Sequence, residues 1–303
     1  MNKEMSLDYT NLFFYKQKSG LYKYGPLDFV TLSVIVLIVW LLKLAVDRVT
    51  DIFLYRVSKS KHLKFKTLTF QGFFRIICII VLVYSFYSRG LLKFALFPWI
   101  DLKFLEKYPT SDFTFAGKFI YMFELSYVFV MAPLVPKLES GKGVYLMLLH
   151  HVVTASTVIF SYLGYQNLYG ETIFFVNDLG VTLLYISKTV NYLNYEKIAH
   201  KLLLVLAFIW IPTRLTAYPC HAISGIVLGR LDFEPGFKRV LHYIFTAIPL
   251  VTLEYMQILW TILITKMIIR LFKTGRVDGD IRSDNEKHKK TKKETKLKIK
   301  KVK

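Results

Sequence analysis

Charge, cysteine and histidine are all scarce in most of this sequence. Charged residues make up 20% of the 303 residues, against roughly 25% in ordinary soluble domains. The two cysteines, Cys78 and Cys220, are isolated and do not make a disulfide framework. Of the seven histidines only His150 and His151 are adjacent. Membrane di-iron enzymes need many histidines in clustered motifs, so we expect no metal site.

Other catalytic signatures are missing as well. An elongase-type His-x-x-His-His motif is absent, because Met147 stands where its first histidine would be. No Gly-rich phosphate loop follows a strand, and no Ser-His-Asp arrangement can be recognised. The segment from Met1 to Pro26 lacks the short apolar core of a cleavable signal. We therefore expect the first apolar run to be a retained anchor.

Long apolar windows are what the sequence has instead. Apolar residues make up 54% of the chain and aromatic residues 16%, and the windows match the roughly 20 residues that cross a bilayer. This pattern predicts an all-α, polytopic transmembrane bundle of seven spans. The predicted spans are Leu27–Val46, Gly72–Arg89, Lys118–Val135, Gly143–Leu163, Glu171–Val190, Leu202–Tyr218 and Val240–Ile269. The second and sixth are short, and Pro212 is expected to break the sixth.

Positive charge is concentrated in the first loop and in the tail, and it predicts the orientation. With the tail after Arg270 in the cytosol, seven spans place the N-terminus in the lumen and the first loop in the cytosol. The uncharged loop from Gly164 to Gly170 then falls in the lumen, although the basic N-terminal segment argues mildly against this orientation. The basic residues of the first loop are Arg48, Arg56, Lys59, Lys61, Lys64 and Lys66.

The net charge of +20 does not indicate a nucleic-acid-binding protein. Basic segments beside membrane spans are typical of topology determinants and of contact with anionic lipid. We divide the chain into a luminal segment (1–26), the first span with its basic cytosolic loop (27–70), a helical bundle (71–272) and a disordered basic cytosolic tail (273–303). Lys300 and Lys301 match a dilysine signal for the endoplasmic reticulum, although a lysine-rich tail matches it by chance.

Two histidines lie inside the fourth span, where polar side chains are expensive and usually functional. Adjacent side chains on a helix diverge by about 100°, so the two cannot face one cavity equally. Counting turns from His150 gives the polar stripe Thr154, Thr157 and Ser161, whereas His151 starts a mostly apolar stripe. His150 is therefore the better candidate for a reactive cavity. The alternative is a histidine pair hydrogen-bonded to a neighbouring helix.

The fifth span carries a carboxylate, Asp178, followed at helical spacing by Thr182, Tyr185 and Thr189. A carboxylate in the middle of a span must pair, coordinate a ligand or change its protonation state. Three more ionisable residues lie in the spans, and the sequence leaves open whether they pair with each other or bind a polar head group. They are Glu124, Arg214 and Glu254.

These residues together resemble the Lag motif of ceramide synthases, in the TLC-domain superfamily. The motif reads His150-His151-Val152-Val153-Thr154, then Ser161-Tyr162, Gly170, Asp178 and Ser187-Lys188-Thr189-Val190-Asn191-Tyr192. Weaker matches are Gln71 to Arg75, Phe97-Pro98-Trp99, Tyr108-Pro109 and Asp280-Ile281-Arg282-Ser283-Asp284-Asn285-Glu286. The resemblance runs from about Gln71 to Glu286.

Three positions depart from the family pattern. Val181 stands where the family usually has a second aspartate, and Tyr165 and Leu168 replace a usual asparagine and arginine. Val181 bears on activity, because family members are thought to need both carboxylates. We nevertheless expect acyl transfer with Asp178 as the only carboxylate of that pair.

The resemblance implies N-acylation of a sphingoid base by a fatty acyl-CoA, giving ceramide, without a cofactor. His150 or His151 would attack the thioester or act as a general base, and Asp178 would take up the amine proton, orient an imidazole or hold the ammonium group. The polar residues of the two stripes and of the motif are expected to contact substrate. They are Thr154, Thr157, Ser161, Thr182, Tyr185, Lys188 and Asn191.

The expected partners are acyl-CoA, the sphingoid base and membrane lipid. The basic first loop either binds CoA phosphates or merely sets topology, and in the family the loop here spanning Pro219 to Arg239 influences acyl-chain length. A homo-oligomer or an accessory membrane subunit stays open. The rival function is a non-catalytic TLC-domain protein that assists translocation or senses lipids, which Val181 favours and the intact His150-His151 motif disfavours.

Overall fold

The computed structural model describes residues 25–91, 113–164, 167–221 and 236–274. Seven helices in these ranges are long and apolar enough to cross a membrane, which confirms the predicted polytopic helical bundle. The luminal segment 1–26 (except its last two residues), the segments Phe97-Pro98-Trp99 and Tyr108-Pro109, Tyr165, most of the loop 219–239 and the tail from 275 onward lie outside the described residues.

The seven long helices alternate in direction, with short helical turns at several of their ends. They are α1 (Leu27–Thr50), α2 (His62–Ser88), α3 (Phe115–Met131), α4 (Lys142–Leu163), α5 (Asn167–Tyr192), α6 (Glu196–Pro212) and α7 (Ile248–Thr274). Turns of 3₁₀ helix span Asp51–Arg56, Lys59–Lys61 and Ala132–Leu134, and single turns of α-helix span Val135–Leu138 and Phe237–His242. π-Helical turns span Thr213–Ala217 and Tyr243–Ala247.

Two predictions about the spans were wrong, one boundary and one break. Helix α2 has 27 residues and begins at His62, because the apolar stripe continues through Phe65 and Phe70 into the basic loop. Pro212 does not break the sixth span: α6 ends there, and the chain continues as the π-helical turn Thr213–Ala217. A π turn shifts the hydrogen-bond register, so the missing proline N–H need not end the helical path.

Aromatic residues fill the core between α2 and α3. Phe74 stacks on Phe123 with ring centroids 4.2 Å apart and leans on Tyr127 at 4.7 Å. Such pairs add about 0.5–1.5 kcal/mol each beyond the area they bury. Helix α2 also packs along α5, where a Cβ on Gly72 would lie 3.6 Å from the Tyr185 Cβ. These contacts bring α2, α3 and α5 together at mid-bundle.

The two ends of the bundle differ in their charges. The basic end holds the turns after α1, the start of α2, the α3–α4 connection and the α5–α6 turn. Arg56 and Lys61 lie in the 3₁₀ turns after α1, and Lys64 lies at the start of α2. The far end holds the start of α1, the end of α2, the end of α4 and the start of α5. There Lys118 Nζ lies 2.7 Å from Asp28 Oδ1, and Arg89 pairs with Glu171.

Candidate functional site

A cavity of about 670 Å³ extends from the middle of the bundle to the basic end. Helices α2 to α7 all contribute to its wall, together with the turns after α1 and between α5 and α6. This volume falls in the range of ligand-binding clefts, roughly 300–1,000 Å³. The cavity is therefore large enough for a small-molecule substrate, and most of the predicted site residues lie in its wall.

Asp178 lies in the cavity wall and is held by an arginine from another helix. Arg75 Nη1 on α2 lies 2.8 Å from Asp178 Oδ1 and 2.7 Å from each carboxylate oxygen of Glu124 on α3. The Arg75 guanidinium carbon also stands 4.3 Å from the centroid of the Tyr127 ring. One cation thus joins two carboxylates from two helices, which settles the open pairing of Glu124: its partner is Arg75.

Asp178 keeps one oxygen unpaired. Its side chain is almost fully buried, yet Oδ2 has no hydrogen-bond partner among the described residues. Buried polar atoms without a partner are rare in folded proteins, and each calls for an explanation. Since Asp178 belongs to the cavity wall, this oxygen is a buried acceptor beside the cavity that has no protein partner among the described residues.

A metal ion is a poor match for this cluster. The sulfur of Cys78 and one carboxylate oxygen each from Glu124 and Asp178 lie within 4.8 Å of one another. Arg75 already bridges the two carboxylates. Its positive charge takes the role that a bound cation would have, so the donor set does not fit a metal site. The prediction that the protein uses no metal stays a prediction.

Both histidines of α4 contribute to the cavity wall, at ring centroids 5.6 Å apart. His150 packs edge-on against the indole of Trp260 on α7, with centroids 5.1 Å apart and planes at 82°. The Nδ1 atom of His150 is buried and has no hydrogen-bond partner in the described part of the chain. Asp178 makes no hydrogen bond to either histidine within the described ranges, and its Oδ1 is engaged by Arg75.

The cavity gathers five of the seven residues predicted to contact substrate. Thr154, Thr157, Tyr185, Lys188 and Asn191 are in its wall. Their roles remain predictions, since position alone does not show contact with substrate.

Ser161 and Thr182 lie elsewhere. Ser161 is three turns beyond His150 on α4, past the cavity, and its hydroxyl shares a 2.7 Å hydrogen bond with that of Tyr121. On α5 the residues that line the cavity include Asp178, Val181 and Tyr185. Thr182 follows Val181 directly, so its side chain points about 100° away around the helix and is not part of the cavity wall. Val181, the departure from the family pattern, thus lies in the cavity wall.

Arg214 and Glu254 form no ion pair with each other or with Glu124 in the part of the chain that the structure describes. Arg214, which lines the cavity, donates from its guanidinium to the side-chain and backbone oxygens of Asn177. Its guanidinium carbon stands 4.6 Å from the Trp210 ring centroid. Glu254 Oε2 is buried without a hydrogen-bond partner among the residues that the structure describes. Of the two alternatives left open for Glu124, Arg214 and Glu254, pairing with each other is therefore not found among the described residues, and binding of a polar head group stays a prediction.

Several wall residues were not singled out from the sequence. Arg75 was noticed only as part of a weak motif, because a span starting at Gly72 put it at a membrane boundary. With α2 starting at His62, it lies at the centre of the helix. Gln257 and Trp260 on α7 gave no signal, although their spacing of three puts them on one helix face. Their importance depends on which face of α7 meets α4.

Basic residues surround the cavity at the basic end. Arg56, Lys61 and Lys64 from the first loop and Lys188 from α5 all belong to its wall. Arg56 is fixed in place, because it donates to the Tyr195 hydroxyl and its carbonyl accepts from Asn194 Nδ2 at 3.1 Å. Asn194 itself has φ +65°, a backbone conformation that asparagine tolerates in tight turns. The charged end is thus part of the same cavity as His150.

Comparison with known proteins identifies the bundle. The TLC domain family model matches residues 64–266, two thirds of the chain. Ceramide synthase 4 of Bos taurus is 28% identical over 189 residues, which cover 62% of this chain and 47% of that protein. Ceramide synthase LOH2 of Arabidopsis thaliana is 30% identical over 196 residues, covering 62% of this chain and 66% of that protein.

The human homologue gives a similar result. Ceramide synthase 4 of Homo sapiens is 25% identical over 188 residues, which cover 62% of this chain and 47% of that protein. The match with this chain therefore spans about half the length of the two animal relatives.

Proposed function

Since the chain belongs to the TLC domain family, we propose that it is a ceramide synthase, which transfers a fatty acyl group from acyl-CoA to the amine of a sphingoid base. One observation carries the proposal. His150, His151 and Asp178 line a single cavity that also has a basic end. The resemblance to ceramide synthases supplies the reaction, and the cavity supplies a plausible place for it.

The proposed reaction needs acyl transfer but no redox step. The amine nitrogen forms a bond to the acyl carbon, the carbon–sulfur bond breaks, and CoA leaves as a thiol. A thioester is already activated, so neither a metal nor a cofactor is required. His150 either attacks the carbonyl to give an acyl-imidazole or accepts the amine proton as a general base. His151 is the alternative for either role.

Asp178 would bind the ammonium form of the base before its proton is lost. Arg75 occupies one carboxylate oxygen, and the other has no partner in the described part of the chain. Opposite charge and a free acceptor favour an ammonium group at this place. This role fits the contacts better than orienting an imidazole, because Asp178 has no recorded hydrogen bond to His150 or His151 among the described residues.

The basic end would bind the phosphates of CoA. Lysine and arginine are the common partners of phosphate groups, and a charged cleft also raises the association rate of an anionic substrate. Arg56, Lys61 and Lys64 stand at the end of the cavity, on the same side of the bundle as Lys188. The thioester would then extend toward His150, and the acyl chain would reach the apolar residues between α4 and α7.

The proposed location is the membrane of the endoplasmic reticulum, with the basic end and the C-terminus in the cytosol. The excess of lysine and arginine at one end of the helices supports this orientation. Acyl-CoA would then enter from the aqueous side, whereas the sphingoid base and the product would exchange with membrane lipid. Whether the protein acts alone, as a homo-oligomer or with an accessory membrane subunit is not part of the proposal.

Val181 supports a second candidate, a non-catalytic TLC-domain protein that senses lipids or assists translocation. It lies in the cavity wall where a second aspartate is usual in the family. A valine there leaves the cavity able to hold a lipid but with one fewer carboxylate. We favour the enzyme, because the two histidines, Asp178 and the basic end are all retained.

Expression in cells that lack ceramide synthesis tests the proposal directly. Mass spectrometry of lipid extracts should find ceramide with the wild-type protein and none with an equally abundant His150→Ala variant. Absence of ceramide with a well-expressed, membrane-inserted wild type would favour the non-catalytic candidate.

A further inference from the structure

Gln257 on α7 is buried in the cavity wall, with 3% of its surface exposed. Its Oε1 atom has no hydrogen-bond partner within the described residues. Across the α4–α7 contact, Thr154 Oγ1 is also buried and has no recorded partner there. Burying an amide or hydroxyl without a hydrogen bond is costly. Two such groups on neighbouring helices at one cavity indicate a polar ligand group.

Thr154 and Gln257 lie at the same depth in the bundle relative to His150, the proposed reaction centre. Thr154 lies one turn beyond His150 on α4, toward the far end, because α4 runs from the basic end to the far end. Gln257 lies one turn before Trp260 on α7, which runs the opposite way, so it is also displaced toward the far end. Since His150 and Trp260 are in contact, Thr154 and Gln257 are both one turn deeper than that contact.

We propose that Gln257, together with Thr154, binds a hydroxyl group next to the reacting amine of the acceptor. The inference rests on the proposed function and assigns a specificity-determining residue to it. A carboxamide donates and accepts hydrogen bonds, and so does a hydroxyl, so the match holds whichever way the amide is turned. The amine faces Asp178, and the adjacent hydroxyl faces α4 and α7.

A hydroxyl is a better match than the other groups of the substrates. The thioester carbonyl only accepts hydrogen bonds, so it would leave the acceptor atoms of the Gln257 carboxamide and the Thr154 hydroxyl without a donor, whereas a hydroxyl both donates and accepts. The acyl chain has no polar atom, and the CoA phosphates are expected at the basic end, beside Lys61 and Lys64. A site that hydrogen-bonds a substrate hydroxyl also rejects analogues that lack it, because its own buried groups are then left unpaired.

Three amines of equal chain length provide the test: sphinganine, 1-deoxysphinganine and 3-deoxysphinganine. The assay measures kcat/KM for each, with one acyl-CoA, for the wild type and for Gln257→Met. Methionine keeps the length and removes the amide. The wild type should prefer sphinganine over at least one deoxy analogue by about tenfold or more. In Gln257→Met that preference should fall toward unity, chiefly because kcat/KM for sphinganine drops.

Two further variants keep the result interpretable. Thr154→Val is nearly isosteric and should reduce the same preference, so it serves if Gln257→Met is poorly folded. Leu250→Met changes another buried α7 residue that is outside the cavity wall, and it should keep the wild-type preference. Thermal melting in detergent compares the folded fraction of all variants.

The possible results separate this inference from the proposed function. If the wild type acylates all three amines and both Gln257→Met and Thr154→Val keep its preference, hydroxyl recognition by these residues is wrong while the synthase proposal stands. If the wild type does not prefer sphinganine over either deoxy analogue, the inference is also overturned. If the folded wild type acylates none of the three, the synthase proposal fails, and this inference fails with it.

Discussion

Two buried aspartates, one at the far end of the bundle and one at mid-bundle in the cavity wall, have different surroundings. Both oxygens of Asp28, at the far end, are engaged: Lys118 Nζ lies 2.7 Å from Oδ1, and the Tyr162 hydroxyl donates to Oδ2 at 2.6 Å. Asp178 has Arg75 at 2.8 Å from Oδ1, while its Oδ2 is buried without a hydrogen-bond partner among the described residues. A saturated carboxylate joins helices, whereas an unsaturated one beside a cavity is available to a ligand.

The same contrast extends beyond the two aspartates. At the far end Glu171 Oε2 accepts from Ser85 at 2.7 Å and pairs with Arg89. Its Oε1 has no hydrogen-bond partner among the described residues, but it packs against Gly117, where an added Cβ would collide with it. Close packing accompanies these bonds, because a Cβ on Gly170 would collide with the Tyr121 hydroxyl. Around the cavity, by contrast, His150 Nδ1 and Trp260 Nε1 are buried and unpaired within the described ranges. The far end is thus closely packed, whereas the cavity wall carries buried polar atoms that have no protein partner among the described residues.

The largest effect is expected from His150→Ala. Loss of a general base or nucleophile typically costs on the order of 10²–10⁴ in rate, so ceramide formation should fall below detection in cells. The folded fraction should remain near wild type, because the removed ring leaves a hole beside an existing cavity. Val152→Ala on the outward face of the same helix is the matched control and should keep full activity. Full activity of His150→Ala would assign the chemistry to His151 or elsewhere.

Lys118→Met tests the far end. Removing one partner of a buried ion pair costs about 3–5 kcal/mol, because the other charge is left uncompensated. We expect a lower melting temperature in detergent and less protein in the membrane. Activity should fall only in proportion to the loss of folded protein. The double variant Asp28→Asn/Lys118→Met should recover most of the stability. A stable Lys118→Met protein with impaired catalysis would mean that the far end takes part in the reaction.

The basic end should affect substrate affinity more than turnover. Lys61→Gln/Lys64→Gln should raise KM for acyl-CoA by about two- to tenfold, as expected for a few partly exposed charges, and leave kcat nearly unchanged. The difference should shrink at high ionic strength, because salt screens such interactions. Lys197→Gln/Lys201→Gln removes two lysines at the same end that are outside the cavity wall. An equal rise in KM for that control would show that only overall charge matters.

Val181→Asp should have the smallest effect. Asp178 and position 181 are in the same cavity wall, so a new carboxylate would face the existing one without replacing its contact with Arg75. We expect ceramide synthesis within a few-fold of wild type in membranes from the expressing cells. Should the wild type be inactive and Val181→Asp restore synthesis, the protein is a decayed enzyme, and the non-catalytic function is correct for the natural chain.

The helical bundle could be predicted because membrane insertion leaves a strong local signal. Runs of apolar residues from Leu27 to Ile269 defined seven spans, and His150 and Asp178 stood out as polar residues inside them. Boundaries were harder, since a membrane helix can continue into a basic loop as α2 does from His62. Because the second span was predicted to begin at Gly72, the central position of Arg75 in α2 was missed, although this residue joins α2, α3 and α5.

Contacts between neighbouring helices determine which residues line the cavity, and the sequence alone did not predict them. A stripe on one helix predicts which residues share a face, but not where the cavity on that face ends, and so Ser161 proved to bond to Tyr121 instead. The rotation of α5 brought Val181 into the wall and left Thr182 outside it. Gln257 and Trp260 matter only because α7 packs against α4, a contact between residues about a hundred positions apart in sequence.

The difference in role between the far end and the cavity half is tested most directly by the same aspartate-to-asparagine substitution in each half. Asp28→Asn and Asp178→Asn are matched variants, assayed together for melting temperature in detergent and for ceramide formed per folded protein. We predict that Asp178→Asn abolishes synthesis with little loss of folded protein, because Glu124 still compensates the charge of Arg75. Asp28→Asn removes the carboxylate that pairs with Lys118, so it lowers the melting temperature and leaves the remaining folded protein active. Full activity of Asp178→Asn, or a folded but inactive Asp28→Asn, would contradict the assignment of catalysis to the cavity half.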